Sequence, residues 1–340
     1  MEYTQQDFKS SMEIKWCPGC GDYAVYAAVQ RALPIVAKEL NYTRERFTFV
    51  SGIGCSSRFP YYVNCFGFHG IHGRASAIST GVKVANPRLS VWQITGDGDA
   101  LAIGGNHFIH AIRRNIDINI LLFNNQIYGL TKGQYSPTSK LGMITKTSPY
   151  GTVEHPFNPG ELIIGARGTF FARSLDVEIK LSTEIMTEAA KHDGTSVMEM
   201  LVNCVIFNDK AHGYISDREN REDRTIVLHH GQPMIFGKNR DKGLVLDRDN
   251  MQLKVVEIGR DGITENDILV HNAENQDTGI HMMLAGMKMP EMPVALGIIR
   301  NVKDRTYDDN VRDQLEEVKA KAKVHCVDDL LHSGATWEVE

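Results

Sequence analysis

The first residues able to do chemistry are Cys17 and Cys20, two residues apart in the run WCPGCG. A close thiol pair suits a disulfide, a zinc site, a redox dithiol or an iron–sulfur centre. Two more cysteines stand where strand-like runs end, Cys55 in SGIGCSS and Cys204 in MLVNCVIF. A second constellation is Gly96-Asp97-Gly98, followed one strand–helix–strand unit later by Asn124-Asn125. A carboxylate and an amide oxygen are hard ligands suited to a magnesium ion that also holds phosphate oxygens. The glycines let the backbone come close to a diphosphate. Four thiolates from the cysteine positions suit either zinc or an iron–sulfur cluster, and spacing alone does not separate the two.

The elements that must position these groups alternate. YAVYAAVQRALPIVAKEL predicts a helix, with Asp22 near its start and Pro34 as a candidate kink. FTFVS predicts a short strand ending in the Gly-rich turn that holds Cys55. RASAISTGVKVAN predicts a helix, LSVWQITG a buried strand, GGNHFIHAIRRN a helix and INILLFNN another apolar strand. SLDVEIKLSTEIMTEAAKHDG predicts an amphipathic helix, followed by the strand SVMEMLVNC. This alternation predicts a mostly parallel sheet with helices on both faces. Asp97 and Asn125 then fall at the carboxyl edge of neighbouring strands, where open α/β sheets bind ligands. A thioredoxin-like dithiol fits poorly, because Cys17 and Cys20 follow no early strand–helix–strand unit.

The chain of 340 residues is long enough for one large domain or two, with 42% hydrophobic and 23% charged residues. Residues 1–208 are expected to form the α/β core. Residues 209–340 are expected to form a less regular C-terminal region, in which a Met-rich stretch between Met282 and Met292 suits packing or an interface. The net charge of −5, with no basic block, gives no footprint for nucleic acid. No apolar run is long enough to span a bilayer. The polar N-terminus lacks a signal core, so a cytoplasmic location is expected, and a reducing cytoplasm disfavours structural disulfides.

The GDG and NN pair resembles the thiamin diphosphate motif. More specifically, CPGCGD, GIGCSSR, His72-Gly73-Arg74, GDGD, NNQIYGLTKGQ and SPTS stand in the order found in the β subunits of 2-oxoacid:ferredoxin oxidoreductases, over Trp16 to Cys204. The resemblance implies a thiamin diphosphate-binding α/β domain carrying one [4Fe–4S] cluster on Cys17, Cys20, Cys55 and Cys204. It implies Mg2+ on the Asp97 and Asn125 side chains and the Ile127 carbonyl. It places the cofactor against Gly54, Cys55, Ser56, His72, Gly73, Gly96, Asp97, Gly98, Asp99, Asn125, Ile127, Gly129, Leu130 and Thr131.

Thiamin diphosphate serves as an electron sink for loss of CO2 from a 2-oxoacid, and a nearby cluster takes up electrons one at a time. The implied activity is oxidative decarboxylation to an acyl-CoA, with electrons passed to ferredoxin and either direction open. No glutamate of this chain matches the one that thiamin enzymes place on the aminopyrimidine ring. An α subunit is therefore expected to complete the site, in a heterodimer or a dimer of heterodimers.

Arg58 and Lys132 flank the motifs and suit the distal carboxylate of 2-oxoglutarate, giving succinyl-CoA. With His72 they form the candidate catalytic set. The rivals are the same chemistry on pyruvate or a branched-chain 2-oxoacid, a thiamin-dependent decarboxylase with structural zinc on the four cysteines, and a non-catalytic assembly subunit. Cys65 and Cys326 are expected to be free thiols. His69 and His72, and His107 and His110, are expected to be loop and helix-face groups rather than zinc pairs.

Overall fold

A computed structural model describes residues 2–339. Eight strands form the main sheet: β1 (Phe47–Ser51), β2 (Phe66–His69), β3 (Ser90–Gly96), β4 (Asn119–Asn124), β5 (Phe170–Leu175), β6 (Ser196–Leu201), β7 (Thr225–Leu228) and β11 (Val294–Asn301). Their order is β2-β1-β3-β4-β6-β5-β11-β7, with only β5 and β11 pairing antiparallel. The remaining strands β8 (Ile235–Phe236), β9 (Lys242–Asp247) and β10 (Gln252–Glu257) make a small antiparallel sheet.

The central strand β4 shows why the sheet is covered on both faces. All six of its residues are buried. Leu121 and Phe123 join one core, while Ile120 and Leu122 join the other. Helices α1 (Asp22–Glu39) and α6 (Ile179–Ala189) cover the first face. Residues Val25, Val29, Ala32, Leu33 and Val36 of α1 recur at helical spacing and face inward, and the helix continues through Pro34. Helix α2 (Ala75–Ala85), the short α3 (Asp97–Leu101), α4 (Gly105–Arg113) and α5 (Pro159–Gly165) complete the framework, and α3, α4 and α5 feed the second core. Truncating a β4 leucine to Ala costs roughly 2–5 kcal/mol in such a setting.

Two expectations need correction. The run starting at Ser174 does not open a helix, because FFARSL is strand β5 and the helix begins at Ile179. The C-terminal region is also more regular than its polar sequence suggests. It supplies β7 and β11 to the main sheet, so that sheet crosses the expected boundary at residue 208. In the Met-rich stretch, helix Gly279–Gly286 buries Leu284 and Ala285 in the second core. Beyond it, helix Tyr307–Lys321 is almost wholly exposed.

Strands β1, β3, β4 and β6 are parallel neighbours. The turns that leave their carboxyl ends therefore meet at one edge of the sheet. Those turns carry Gly54-Cys55, Asp97, Asn125 and Cys204.

Candidate active site

A cleft of about 550 Å3 opens at that edge. Its wall contains Gly54, Cys55, Ser56, His72, the run Gly96 to Asp99, Asn125, Ile127 and the run Gly129 to Thr131. The expected cofactor positions thus come together, except that Gly73 lies behind the wall. Gly73 has a φ of +70°, and a Cβ there would lie 2.5 Å from the Ile103 side chain and 2.7 Å from the Gly104 nitrogen. Only glycine suits that turn.

Asp97 begins α3 where β3 ends and is almost fully buried. Its Oδ2 accepts from Ser136 Oγ at 2.5 Å and from Thr138 Oγ1. Burial pushes its pKa up to about 6, against the pull of those hydroxyls. Asn125 sits in a tight bend, with its Oδ1 accepting from Ile127 N at 3.1 Å and Gln126 at a φ of +57°. The bend is held from behind. Ser139 Oγ donates to the Gln126 carbonyl (2.6 Å), Asn208 Nδ2 donates to the Asn125 carbonyl (3.0 Å), and His212 Nε2 lies 2.9 Å from the Asn124 carbonyl. A carboxylate, an amide and a backbone carbonyl make a hard-oxygen donor set that fits Mg2+.

Asp99 has a different task. Its Oδ1 accepts from Gly73 N (2.7 Å) and Ile53 N (3.1 Å) and lies 2.9 Å from His72 Nδ1; its Oδ2 accepts from Thr95 Oγ1 (2.6 Å). The carboxylate pins the loops after β1 and β2 against β3. It is a post in the cleft wall more than a ligand contact.

Cys17, Cys20, Cys55 and Cys204 are all free thiols. A Cβ on Gly129 would lie 3.4 Å from Cys55 Sγ and 3.6 Å from Cys204 Sγ, so those two sulfurs flank one backbone point. The Cys17–Gly21 turn packs beside them, with a Gly19 Cβ position 3.4 Å from Val205. Burial, with the charge of Asp22 and the neighbouring thiols, pushes the Cys20 thiol far up and Cys55 to about 12. Buried thiols of this kind fit a cationic centre that would take them as thiolates. Among the described residues, no three His, Cys, Asp or Glu side chains converge closely enough for a single metal ion. His69 stacks on Tyr61, while His72 faces Asp99.

Two expected residues are not brought into the cleft. Arg58 donates its Nε to the Tyr62 hydroxyl (3.0 Å), and Lys132 sits on an exposed turn at a φ of +78°. Both lie beside the wall rather than in it. Sequence reasoning missed Tyr128 and Gln134, which line the cleft, and the bracing side chains Ser136, Thr138, Asn208 and His212. The SPTS motif and the aromatic residue after the Asn pair were the available signals.

Fold and cleft define a thiamin diphosphate-binding α/β domain. Residues 52–200 match the thiamine pyrophosphate enzyme, C-terminal TPP binding domain. The chain is 46% identical over 338 residues to 2-oxoglutarate oxidoreductase subunit KorB of Mycobacterium tuberculosis, covering 98% of this chain and 88% of that one. It is 45% identical to 2-oxoglutarate synthase subunit KorB of Archaeoglobus fulgidus, over 56% of this chain and 69% of that one. Among solved structures it resembles the 2-oxoglutarate:ferredoxin oxidoreductase from Magnetococcus marinus with 2-oxoglutarate, coenzyme A and succinyl-CoA bound. That match has a TM-score of 0.75 and 30% identity, over 97% of this chain and 95% of that one. The chain belongs to the β subunits of the 2-oxoacid:ferredoxin oxidoreductases, and it is a subunit of an enzyme complex.

Proposed function

We propose that this chain is the β subunit of a 2-oxoglutarate:ferredoxin oxidoreductase, which forms succinyl-CoA and CO2 from 2-oxoglutarate and CoA. When bound, thiamin diphosphate supplies the electron sink for decarboxylation, and a [4Fe–4S] cluster accepts the released electrons one at a time. Asp97, Asn125 and the Ile127 carbonyl hold Mg2+ and through it the diphosphate. Cys17, Cys20, Cys55 and Cys204 hold the cluster. His72, oriented by Asp99, stands at the diphosphate end of the cleft, and Arg58 and Lys132 meet the substrate's distal carboxylate once the partner subunit closes the site.

The observation that carries this reading is the double position of Cys55. It lines the cleft, and its sulfur flanks Gly129 together with that of Cys204. Cofactor and cluster sites then share a wall, which suits electron transfer between them. The long segment after the Asn pair exposes Leu130, Leu141, Ile144 and Tyr150, in keeping with an α subunit that covers this side. We expect a cytoplasmic complex that passes electrons to ferredoxin; no described helix is long and apolar enough to cross a membrane.

The test is the visible absorbance of the complex, purified anaerobically with its partner subunit, before and after adding 2-oxoglutarate and CoA. A brown protein that bleaches supports substrate and cluster together. A colourless, zinc-containing protein overturns the electron-transfer reading. Bleaching with pyruvate alone keeps the chemistry and replaces the substrate.

A further inference from the structure

The side chains of the turn Ser136-Pro137-Thr138-Ser139 converge on the acidic end of the cleft. Ser136 Oγ donates to Asp97 Oδ2 at 2.5 Å, and Thr138 Oγ1 donates to the same oxygen. All three residues are 3% exposed, so these bonds are shielded from bulk solvent. The turn is itself locked: Ser136 N donates to Ser139 Oγ (2.8 Å) and Ser139 N to the Ser136 carbonyl (3.0 Å). Ser139 Oγ donates on to the Gln126 carbonyl, so the turn that grips Asp97 also holds the bend carrying Asn125 and Ile127. Thr138 Oγ1 lies 3.0 Å from Asn124 Oδ1, and Asn124 Nδ2 donates to Glu199 Oε1 at 2.8 Å. Glu199 is in turn paired with the buried Arg173 at 2.6 Å.

We propose that Ser136 and Thr138 are positioning residues that fix the rotation of the Asp97 carboxylate for a divalent cation. The inference rests on the magnesium–thiamin diphosphate reading and goes beyond it. The terminal torsion of an Asp side chain is broad and roughly two-fold, so the carboxylate does not orient itself. Two hydroxyls on one oxygen remove that freedom and leave the other oxygen a single direction. Thr138 has one hydroxyl proton, and its bond to Asp97 leaves Asn124 Oδ1 a neighbour rather than a second acceptor; the grip is tied to the fold through Ser139, whose Oγ holds both the Ser136 amide and the Gln126 carbonyl. Partners that orient a metal ligand typically contribute about 10–100-fold in metal affinity.

The test uses the complex purified with its partner subunit and compares Ser136→Ala, Thr138→Val and Thr138→Ser. Mg2+ is titrated calorimetrically at saturating thiamin diphosphate, and the melting temperature of the cofactor-free complex is recorded alongside. Ser136→Ala and Thr138→Val are expected to raise the Mg2+ dissociation constant by about 10–100-fold. Thr138→Ser, which keeps the hydroxyl, is expected to stay within about threefold of wild type; cofactor-free melting separates a general loss of stability from a loss of Mg2+ affinity. An unchanged Mg2+ constant in Ser136→Ala and Thr138→Val, or a Thr138→Ser as weak as Thr138→Val, overturns the inference. Should Thr138→Val fail to fold, Ser136→Ala and Thr138→Ser still decide it. A wild-type complex that needs no divalent cation for thiamin diphosphate would overturn the magnesium reading and this inference together. A wild type that needs one, with indifferent variants, sinks this inference alone.

Discussion

The Tyr128 hydroxyl donates to the Gly98 carbonyl at 3.0 Å, while its ring fills the space a side chain on Gly98 would need. A Cβ there would lie 2.1 Å from the ring edge. The last position of the GDG motif is glycine because an aromatic ring 30 residues further on, after the Asn pair, is pressed against it. Gly98→Ala must therefore push Tyr128 out of the cleft wall. Overpacking of this kind costs roughly 1–3 kcal/mol. The expected result is a lower melting temperature and weaker thiamin diphosphate binding, with Tyr128→Phe much milder at about 1 kcal/mol. A double-mutant cycle with Tyr128→Ala checks the mechanism, since the cost of Gly98→Ala should shrink when the ring is gone.

Asp99→Asn should loosen the loops it gathers. An amide cannot accept from Gly73 N, Ile53 N and Thr95 Oγ1 through both of its heavy atoms, so at least one donor loses its acceptor. Each buried donor left unpaired costs about 1–3 kcal/mol. Hydrogen exchange at the Gly73 amide is the direct readout: it should speed up in the variant, and unchanged protection would contradict the role given to Asp99.

The four sheet-edge cysteines and the other two should separate cleanly. Cys17→Ser and Cys204→Ser are expected to abolish the visible iron–sulfur absorbance while thiamin diphosphate still binds. Cys65→Ser and Cys326→Ser should leave the spectrum intact. Cys65 is packed against the first core, with burial raising its thiol to about 12, and Cys326 caps an exposed helix through Asp329 N. Loss of colour in Cys65→Ser would assign the cluster a different ligand set.

Lys132→Gly probes substrate choice without harming the fold. Lys132 has a φ of +78°, a conformation that glycine adopts freely, so the variant should hold its stability or gain up to about 1 kcal/mol. If the ammonium recognises the distal carboxylate, the ratio of kcat/KM for 2-oxoglutarate over pyruvate should fall by about tenfold or more. An unchanged ratio would leave Arg58 as the cation to test next.

Acid should weaken the fold partly through His271. Burial lowers its pKa to about 4, the neighbouring His281, His230 and His229 pull the same way, and its Nε2 lies 2.9 Å from the Ile298 carbonyl. The unfolded histidine titrates near 6.5. The unfolded chain therefore binds the proton first, so this contribution is whole above about pH 6.5 and is lost as the pH falls towards 4. His271→Gln should flatten the stability profile over that window, as measured by denaturant unfolding at several pH values.

Much of the site was readable because buried parallel strands announce themselves. ILLF (120–123) is a continuous apolar run ending in the polar Asn pair, and WQIT ends in GDG, so strand, turn and ligand appear together in a few letters. Strand β5 was hidden because its last two residues, Ser174 and Leu175, open a run that reads as one amphipathic helix. Arg173 is buried only by pairing with Glu199 on the neighbouring strand, a contact that periodicity does not show. Strand β2 is a four-residue exposed edge with a central glycine and carries no buried pattern at all. The SPTS run signals Ser136 and Thr138, but their grip on Asp97 and the bracing by Asn208 and His212 are tertiary contacts that the local sequence does not show. Arg58 and Lys132 were placed by proximity in sequence, and the turns that carry them lead past the cleft wall.

The order in which the sheet-edge turns follow one another along the chain has a consequence for biosynthesis. Cys17, Cys20 and Cys55 leave the ribosome early, but Cys204 follows β6, which must slot between β4 and β5 before its turn reaches the others. A nascent chain therefore presents three of the four proposed ligands from Cys55 onward and the complete set only once β6 has been made. On the proposed cluster assignment, insertion of the inorganic centre would wait for β6 to pair with its neighbours, and chains truncated before β6 would be left with an incomplete ligand set.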